Sequence, residues 1–193
     1  MKKSGKDGVE RKLLPWKTIR SKTVYKTRWC TLRENTVQLP NGIILEDYSV
    51  VDLPDVVMVF ALTKDRMVPF VRQYRYGVNR TLLELPAGGY EKGKETPENA
   101  AKRELWEETG YRAVKLKRLG VINEYPSKGT HSITIYLAEN PTYEGQSHQE
   151  ETEDIQIVTI PFDKIDKYVK NGEIAISGSI AAIYFAKRYL EKK

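Results

Sequence analysis

The chain has 193 residues, 40% of them hydrophobic and 30% charged, with a net charge of +6. That length supports a sizeable core in one domain, with or without an added arm, and the composition excludes the disordered and collagen-like classes. No apolar run reaches the ~18 residues of a membrane-spanning helix, the charged start has no secretory h-region behind it, and one cysteine (Cys30) with two histidines (His131, His148) excludes an intrachain disulfide and argues against a zinc centre.

The cytoplasm is the expected address, with no membrane partner. Charge is unevenly spread. Residues 1–33 carry eleven Lys and Arg against Asp7 and Glu10, a local +9, so the remainder sums to −3. A basic segment can attract phosphate-bearing ligands or nucleic acid. No nucleic-acid-binding motif accompanies it, so nucleic acid is not the expected partner, and the plainer reading is a solvated arm with charged strand edges. Residues 1–12 are read as frayed. Over residues 22–51 the pattern is strand-like, with Thr23, Tyr25, Trp29 and Thr31 giving a loose period of two. Pro40-Asn41-Gly42 predicts a hairpin turn, because Asn-Gly accepts positive φ. The apolar run over residues 56–62 predicts a buried strand, residues 63–66 a turn, and Met67–Arg75 a second strand paired with the first. Residues 82–85 form a brief strand that Pro86-Ala87-Gly88-Gly89 breaks. A helix is then signalled by Thr96 as N-cap, Pro97 at its first position, Glu98 in its first turn and Gly110 as its stop. Strands follow near 118–124, 132–138 and 155–160, and helices near 162–170 and 178–191. In the last helix Ile180, Ile183, Ala186 and Leu190 form a core-facing stripe. The order predicts an α/β fold, a mixed sheet packed between helices.

The chemistry lies in residues 89–111. Glu104 and Glu108 are four apart on one face of the predicted helix, Glu107 borders that face, and Glu95 lies just before the first turn. Like charges at this spacing cost about 0.2–0.5 kcal/mol per pair. Arg103, four before Glu107, supplies part of the counter-charge. A hard divalent cation with oxygen ligands would supply the rest, Mg²⁺ with Mn²⁺ as the alternative, and such an ion grips phosphate oxygens. On the helix alone, a solvated acidic face is an equally open reading.

The wider pattern is more specific. Gly89, Glu95, Arg103, Glu104, Leu105, Glu107, Glu108 and Gly110 match the Nudix box, Gly-x5-Glu-x7-Arg-Glu-U-x-Glu-Glu-x-Gly-U with U aliphatic, and Tyr111 departs only at the last position. The chain therefore resembles the Nudix hydrolases. The resemblance implies an α/β/α Nudix sandwich with a mixed sheet over residues 53–193. It also implies metal-dependent hydrolysis of a nucleoside diphosphate linked to another group. By the same resemblance Glu104 and Glu108 are metal ligands, Glu107 stands close by in the catalytic set, and Arg103 orients the glutamates. The carbonyl of Gly88 completes the coordination, and Glu95 ties the loop to the helix.

The flanks resemble one branch of that family. Residues 71–75 (Val-Arg-Gln-Tyr-Arg) and 83–88 (Leu-Glu-Leu-Pro-Ala-Gly), with Leu39-Pro40-Asn41-Gly42 upstream and Gly172-Glu173-Ile174 downstream, are similar to the ADP-ribose pyrophosphatases and nucleoside-diphosphate-sugar hydrolases. In that branch the basic arm and strands of residues 1–52 would precede the hydrolase domain in an antiparallel β region, exchanged across a homodimer. Arg75 and Glu84 would contact the substrate diphosphate or its metals, the planar arginine fork suiting phosphate oxygens. Trp29 or Tyr25 would stack on the nucleobase, or else be half-buried strand aromatics. The general base would stand on the acidic loop before a late strand: Glu151, with Glu153 assisting a metal and Glu150 as a rival one residue away. One departure concerns the loop at residues 126–131. It carries no carboxylate where the branch often has one, and His131 either substitutes or is structural. The implied reaction delivers a metal-activated water to one phosphorus while Glu151 takes its proton, giving a nucleoside monophosphate and a sugar phosphate. The alternatives are a Nudix nucleoside-triphosphate pyrophosphohydrolase and a non-catalytic nucleotide- or RNA-binding module using the basic N-terminus.

Overall fold

The computed structural model describes residues 12–145 and 154–193. The chain divides between Asp52 and Leu53 into two compact units. The first holds three antiparallel strands in the order β1 (Lys17–Lys26), β2 (Thr31–Gln38) and β3 (Ile44–Asp52). The turn between β2 and β3 is the expected one. Gly42, at φ +89°, donates its N–H to the carbonyl of Leu39, and Asn41 Oδ1 accepts from Ile43 N. β1 starts five residues before the strand-like pattern does, because Lys17, Thr18 and Arg20 carry no apolar alternation to reveal it. Every β1 residue is exposed. Side-chain bonds therefore help to hold this sheet: Arg33 grips Asp52 through two contacts of 2.5 and 2.6 Å, and Ser21 donates to Asn35 at 2.7 Å.

In the second unit β4 (Asp55–Leu62) is central. Its side chains alternate between two cores. Val57, Val59 and Ala61 pack with Ala100, Ala101 and Leu105 of α1 (Pro97–Thr109). Met58, Phe60 and Leu62 pack with Ala182, Ile183 and Ala186 of α3 (Ser177–Leu190). A strand buried on both faces reads as the continuous apolar run seen here. Around it stand β5 (Met67–Arg75), β6 (Arg80–Glu84), β7 (Ala87–Tyr90), β8 (Tyr111–Arg112), β9 (Lys117–Ile122), β10 (Ile133–Glu139), β11 (Thr142–Tyr143) and β12 (Ile155–Pro161), with the short helix α2 (Ile165–Lys170) after a 3-10 turn. One sheet has the order β7-β4-β10-β9, with β4 and β10 parallel and the other pairs antiparallel. A second sheet, β12-β5-β6, is antiparallel, and β8 pairs with β11. With α1 on one face of the mixed sheet and α3 on the other, the arrangement is the α/β/α sandwich expected.

Three local expectations change. β5 does not pair with β4, because both edges of β4 are taken by β7 and β10; the turn at Thr63 hands the chain to the other sheet instead. The break at Pro86 is shorter than expected, since Ala87–Tyr90 pairs with β4 through Val57↔Gly88 and Val56↔Gly89. In α3, Ile183 and Ala186 are buried and Leu190 is partly buried, but Ile180 is 40% exposed and Ala182 takes its place in the core. Among the described residues no helix is long and apolar enough to cross a membrane.

Candidate active site

The start of α1 follows its sequence signals. Thr96 Oγ1 accepts the Asn99 N–H at 3.2 Å, Pro97 fills the first position, and Gly110 ends the helix at φ +72°. A helix fixed at both ends fixes which residues meet β7. Ala101 and Leu105 enter the core, and the i, i+4 pair Glu104 and Glu108 turns towards the strand. Both glutamates are buried, at 7% and 6% exposure. Glu108 Oε2 accepts the backbone N–H of Ala87 at 3.0 Å. The Glu104 carboxylate lies where a Cβ on Gly88 would stand, so a larger residue there would have to push that carboxylate aside. A strand too small to hold the helix away thus brings two buried carboxylates against the main chain of residues 87–88.

Arg103 organises the acids around it. Its Nη1 donates to Glu104 at 2.7 Å and to Glu107 at 2.9 Å, its Nη2 and Nε reach the two Glu95 oxygens at 3.1 and 3.3 Å, and Nη2 lies 3.5 Å from the carbonyl of Gly89. Burial works against the charge on this guanidinium, but the hydrogen bond to Glu95, the charge of Glu104 and the hydrogen bonds to Glu107 and Glu104 outweigh it, so it titrates above the ordinary arginine range. One planar cation holding three carboxylates is a task for arginine rather than lysine.

The donor set fits a divalent cation. Two buried carboxylates one turn apart repel each other, and Arg103 offsets only part of their charge. Mg²⁺ is commonly held by one or two carboxylates, with water and substrate oxygens completing its octahedron. Among the described residues no group of three or more His, Cys, Asp or Glu converges as a ready-made metal centre. The acidic side chains brought together in this region are the buried pair Glu104 and Glu108, with Glu107 beside them on Arg103.

Arg75 and Glu84 come together as a two-point ion pair at 2.7 and 2.6 Å, with Glu84 buried and the arginine side chain 44% exposed. The neighbouring Leu85 N–H donates to the buried Ser179 hydroxyl at 3.1 Å, which fixes the entry into β7 from α3. Tyr25 and Trp29 belong to the first unit, both exposed, with the Arg28 guanidinium 4.4 Å from the Trp29 ring centre. Glu150, Glu151 and Glu153 lie outside the described residues. His131 is buried, with Nε2 3.5 Å from Glu124 Oε2 and Nδ1 without a hydrogen-bond partner. Glu124, just upstream of residues 126–131, also accepts from the Ser177 hydroxyl.

Asp55 was not singled out from the sequence. Its carboxylate accepts from the Ser132 N–H at 2.8 Å and the Ser132 hydroxyl at 3.0 Å, and pairs with Lys92. Ser132 is 77 positions away, so no local pattern signals the contact.

Comparison with known proteins gives two family matches. The NUDIX domain family matches residues 52–176, and the nucleoside diphosphate sugar hydrolase N-terminal domain matches residues 16–51. The ADP-ribose pyrophosphatase of Bacillus subtilis (strain 168) is 32% identical over 175 residues, covering 90% of this chain and 94% of that one. The methanol dehydrogenase activator of Bacillus methanolicus is 31% identical over 175 residues, with the same coverage of 90% and 94%. A crystal structure of an ADP compounds hydrolase superposes with a TM-score of 0.81 at 22% identity, covering 94% of this chain and 97% of that chain, a likeness of fold.

Proposed function

The chain belongs to the Nudix family, and from that membership we propose that it hydrolyses the diphosphate bond of a nucleoside diphosphate sugar of the ADP-ribose type. The products are a nucleoside monophosphate and a sugar phosphate. The observation that carries the reading is the pair of buried glutamates, Glu104 and Glu108, pressed against residues 87–88 with Arg103 bound beside them. The match of residues 16–51 to the N-terminal domain of nucleoside diphosphate sugar hydrolases favours a diphosphate sugar over a triphosphate.

In this mechanism Glu104 and Glu108 would hold Mg²⁺, or Mn²⁺ in its place, with the Gly88 carbonyl as a further ligand. The bound cation supplies charge neutralisation of the phosphoanhydride and acidifies water. Arg103 keeps Glu104 and Glu107 in fixed rotamers and is itself anchored by Glu95. Glu84 fixes the plane of the Arg75 fork, which presents it to a diphosphate. Glu151 would accept the proton of the attacking water, and Glu153 would help to hold the cation. Trp29 or Tyr25 stacks on the nucleobase; both are exposed aromatics on the first unit.

The protein acts in the cytoplasm as a homodimer in which residues 1–52 are exchanged between subunits, without membrane or nucleic-acid partners. The exposed Ile19, Val24, Tyr25, Ile43 and Ile44 of the first unit support a covering partner. The test is a panel of ADP-ribose, other nucleoside diphosphate sugars and nucleoside triphosphates with Mg²⁺, scored by product. Nucleoside monophosphate plus sugar phosphate is expected. Pyrophosphate released from triphosphates, with the sugars untouched, would reject the diphosphate-sugar assignment.

A further inference from the structure

Between β7 and α1 the loop borders an open surface hollow of about 780 Å³ lined by Tyr90, Lys92, Lys94, Glu95 and Asn99. The loop closes its own turn through Lys94 N and Glu95 N on the Glu91 carbonyl. Two side-chain tethers tie that turn to the rest of the fold. One is Glu95 on Arg103, at 3.1 and 3.3 Å. The other is Lys92 on Asp55. Lys94 pairs at 2.8 Å with Glu91 of the same loop and so ties the loop only to itself.

Asp55 is a firm anchor. Its side chain is only 10% exposed. One carboxylate oxygen takes both Ser132 bonds, while Val56 N donates back to the Ser132 carbonyl at 2.9 Å. The other oxygen faces Lys92. The acid is thus locked at the junction of β4 and β10 before the lysine arrives. An exposed ion pair alone is worth little, but here a mobile cation meets a buried, pre-oriented anion. Lys92 is not one of the fixed positions of the box, so the device belongs to this chain's own loop.

We infer that Asp55 and Lys92 are positioning residues: they tether the loop that carries Glu95, and through Glu95 and Arg103 they set the Glu104–Glu108 pair for a divalent cation. The inference rests on the metal-dependent reading above.

The test is calorimetric titration of the full chain with Mn²⁺ alone, without substrate, beside the metal-free melting temperature. Lys92→Gln should weaken Mn²⁺ binding about three- to tenfold, less than the ~10–100-fold seen when a directly bonded outer partner is lost. Its metal-free melting temperature should stay within ~2 °C of the parent, as for surface substitutions generally. Lys92→Arg should restore the parental affinity, and Asp55→Asn should weaken Mn²⁺ binding at least as much as Lys92→Gln. Unchanged Mn²⁺ affinity in Lys92→Gln overturns the tether. So does a loss that Lys92→Arg shares in full, or one that only follows a fall in melting temperature. A parent protein that binds no Mn²⁺ would instead refute the metal reading, and the tether with it.

Discussion

Gly88 and Glu104 show how much depends on the absence of a single carbon. A Cβ at Gly88 would overlap the Glu104 carboxylate. Gly88→Ala should therefore displace that side chain, cost about 1–3 kcal/mol as an overpacked core does, and weaken metal binding; denaturant unfolding and Mn²⁺ titration would check both effects. Glu104→Gln and Glu108→Gln separate chemistry from folding. Glu108→Gln removes a buried charge and keeps an acceptor for the Ala87 N–H, so the metal-free protein should melt at or above the parental temperature, whereas Glu104→Gln also gives up the ion pair with Arg103 and should melt somewhat lower while still folding. Turnover with Mg²⁺ should fall at least about 100-fold, as when an interaction of the transition state is removed. Near-parental turnover in both variants would reject the ligand assignment. Arg103 holds Glu104, Glu107 and Glu95 at once, and a lysine there could not span them.

The elements differ in how openly the sequence announces them. α1 was legible to its ends, because its signals are local: Thr96 caps Asn99 N, Pro97 starts the helix and Gly110 closes it. Replacing Thr96 with Ala should cost about 1 kcal/mol, measurable by urea unfolding. The β2–β3 turn was legible for the same reason, through Asn41-Gly42. Strand partners were not. Pairing of β5 with β4 was the natural expectation from a short turn, but β10 occupies one edge of β4 and β7 the other, and those partners lie dozens of residues downstream. Asp55 was hidden by the same distance. Its acidity shows how the junction of β4 and β10 depends on pH. Burial opposes the charge, but the bonds from Lys92 and Ser132 outweigh it and hold this carboxyl below the usual aspartate range. A depressed folded value means that the ionised form adds stability above the unfolded aspartate value, and that this stability is lost as pH falls through the folded value. Asp55→Asn should reduce the acid sensitivity of unfolding; an unchanged pH profile would exclude Asp55 as a contributor.

For the whole molecule, the sandwich explains where the box residues sit, since α1, β7 and β4 form the layer contact that buries Glu104 and Glu108. The first unit exposes every residue of β1 along with Trp29, Ile43 and Ile44. The proposed homodimer should appear as twice the chain mass in light scattering, and removal of residues 1–52 should give a monomer with weakened substrate binding. The account is tested most directly by anomalous diffraction from crystals soaked with Mn²⁺ and a non-hydrolysable ADP-ribose analogue. It predicts a metal peak within ligand distance of Glu104 and Glu108, beside Gly88 and against the diphosphate. A bound analogue with no metal at that place, and both carboxylates still on Arg103 and the Ala87 amide, would contradict it.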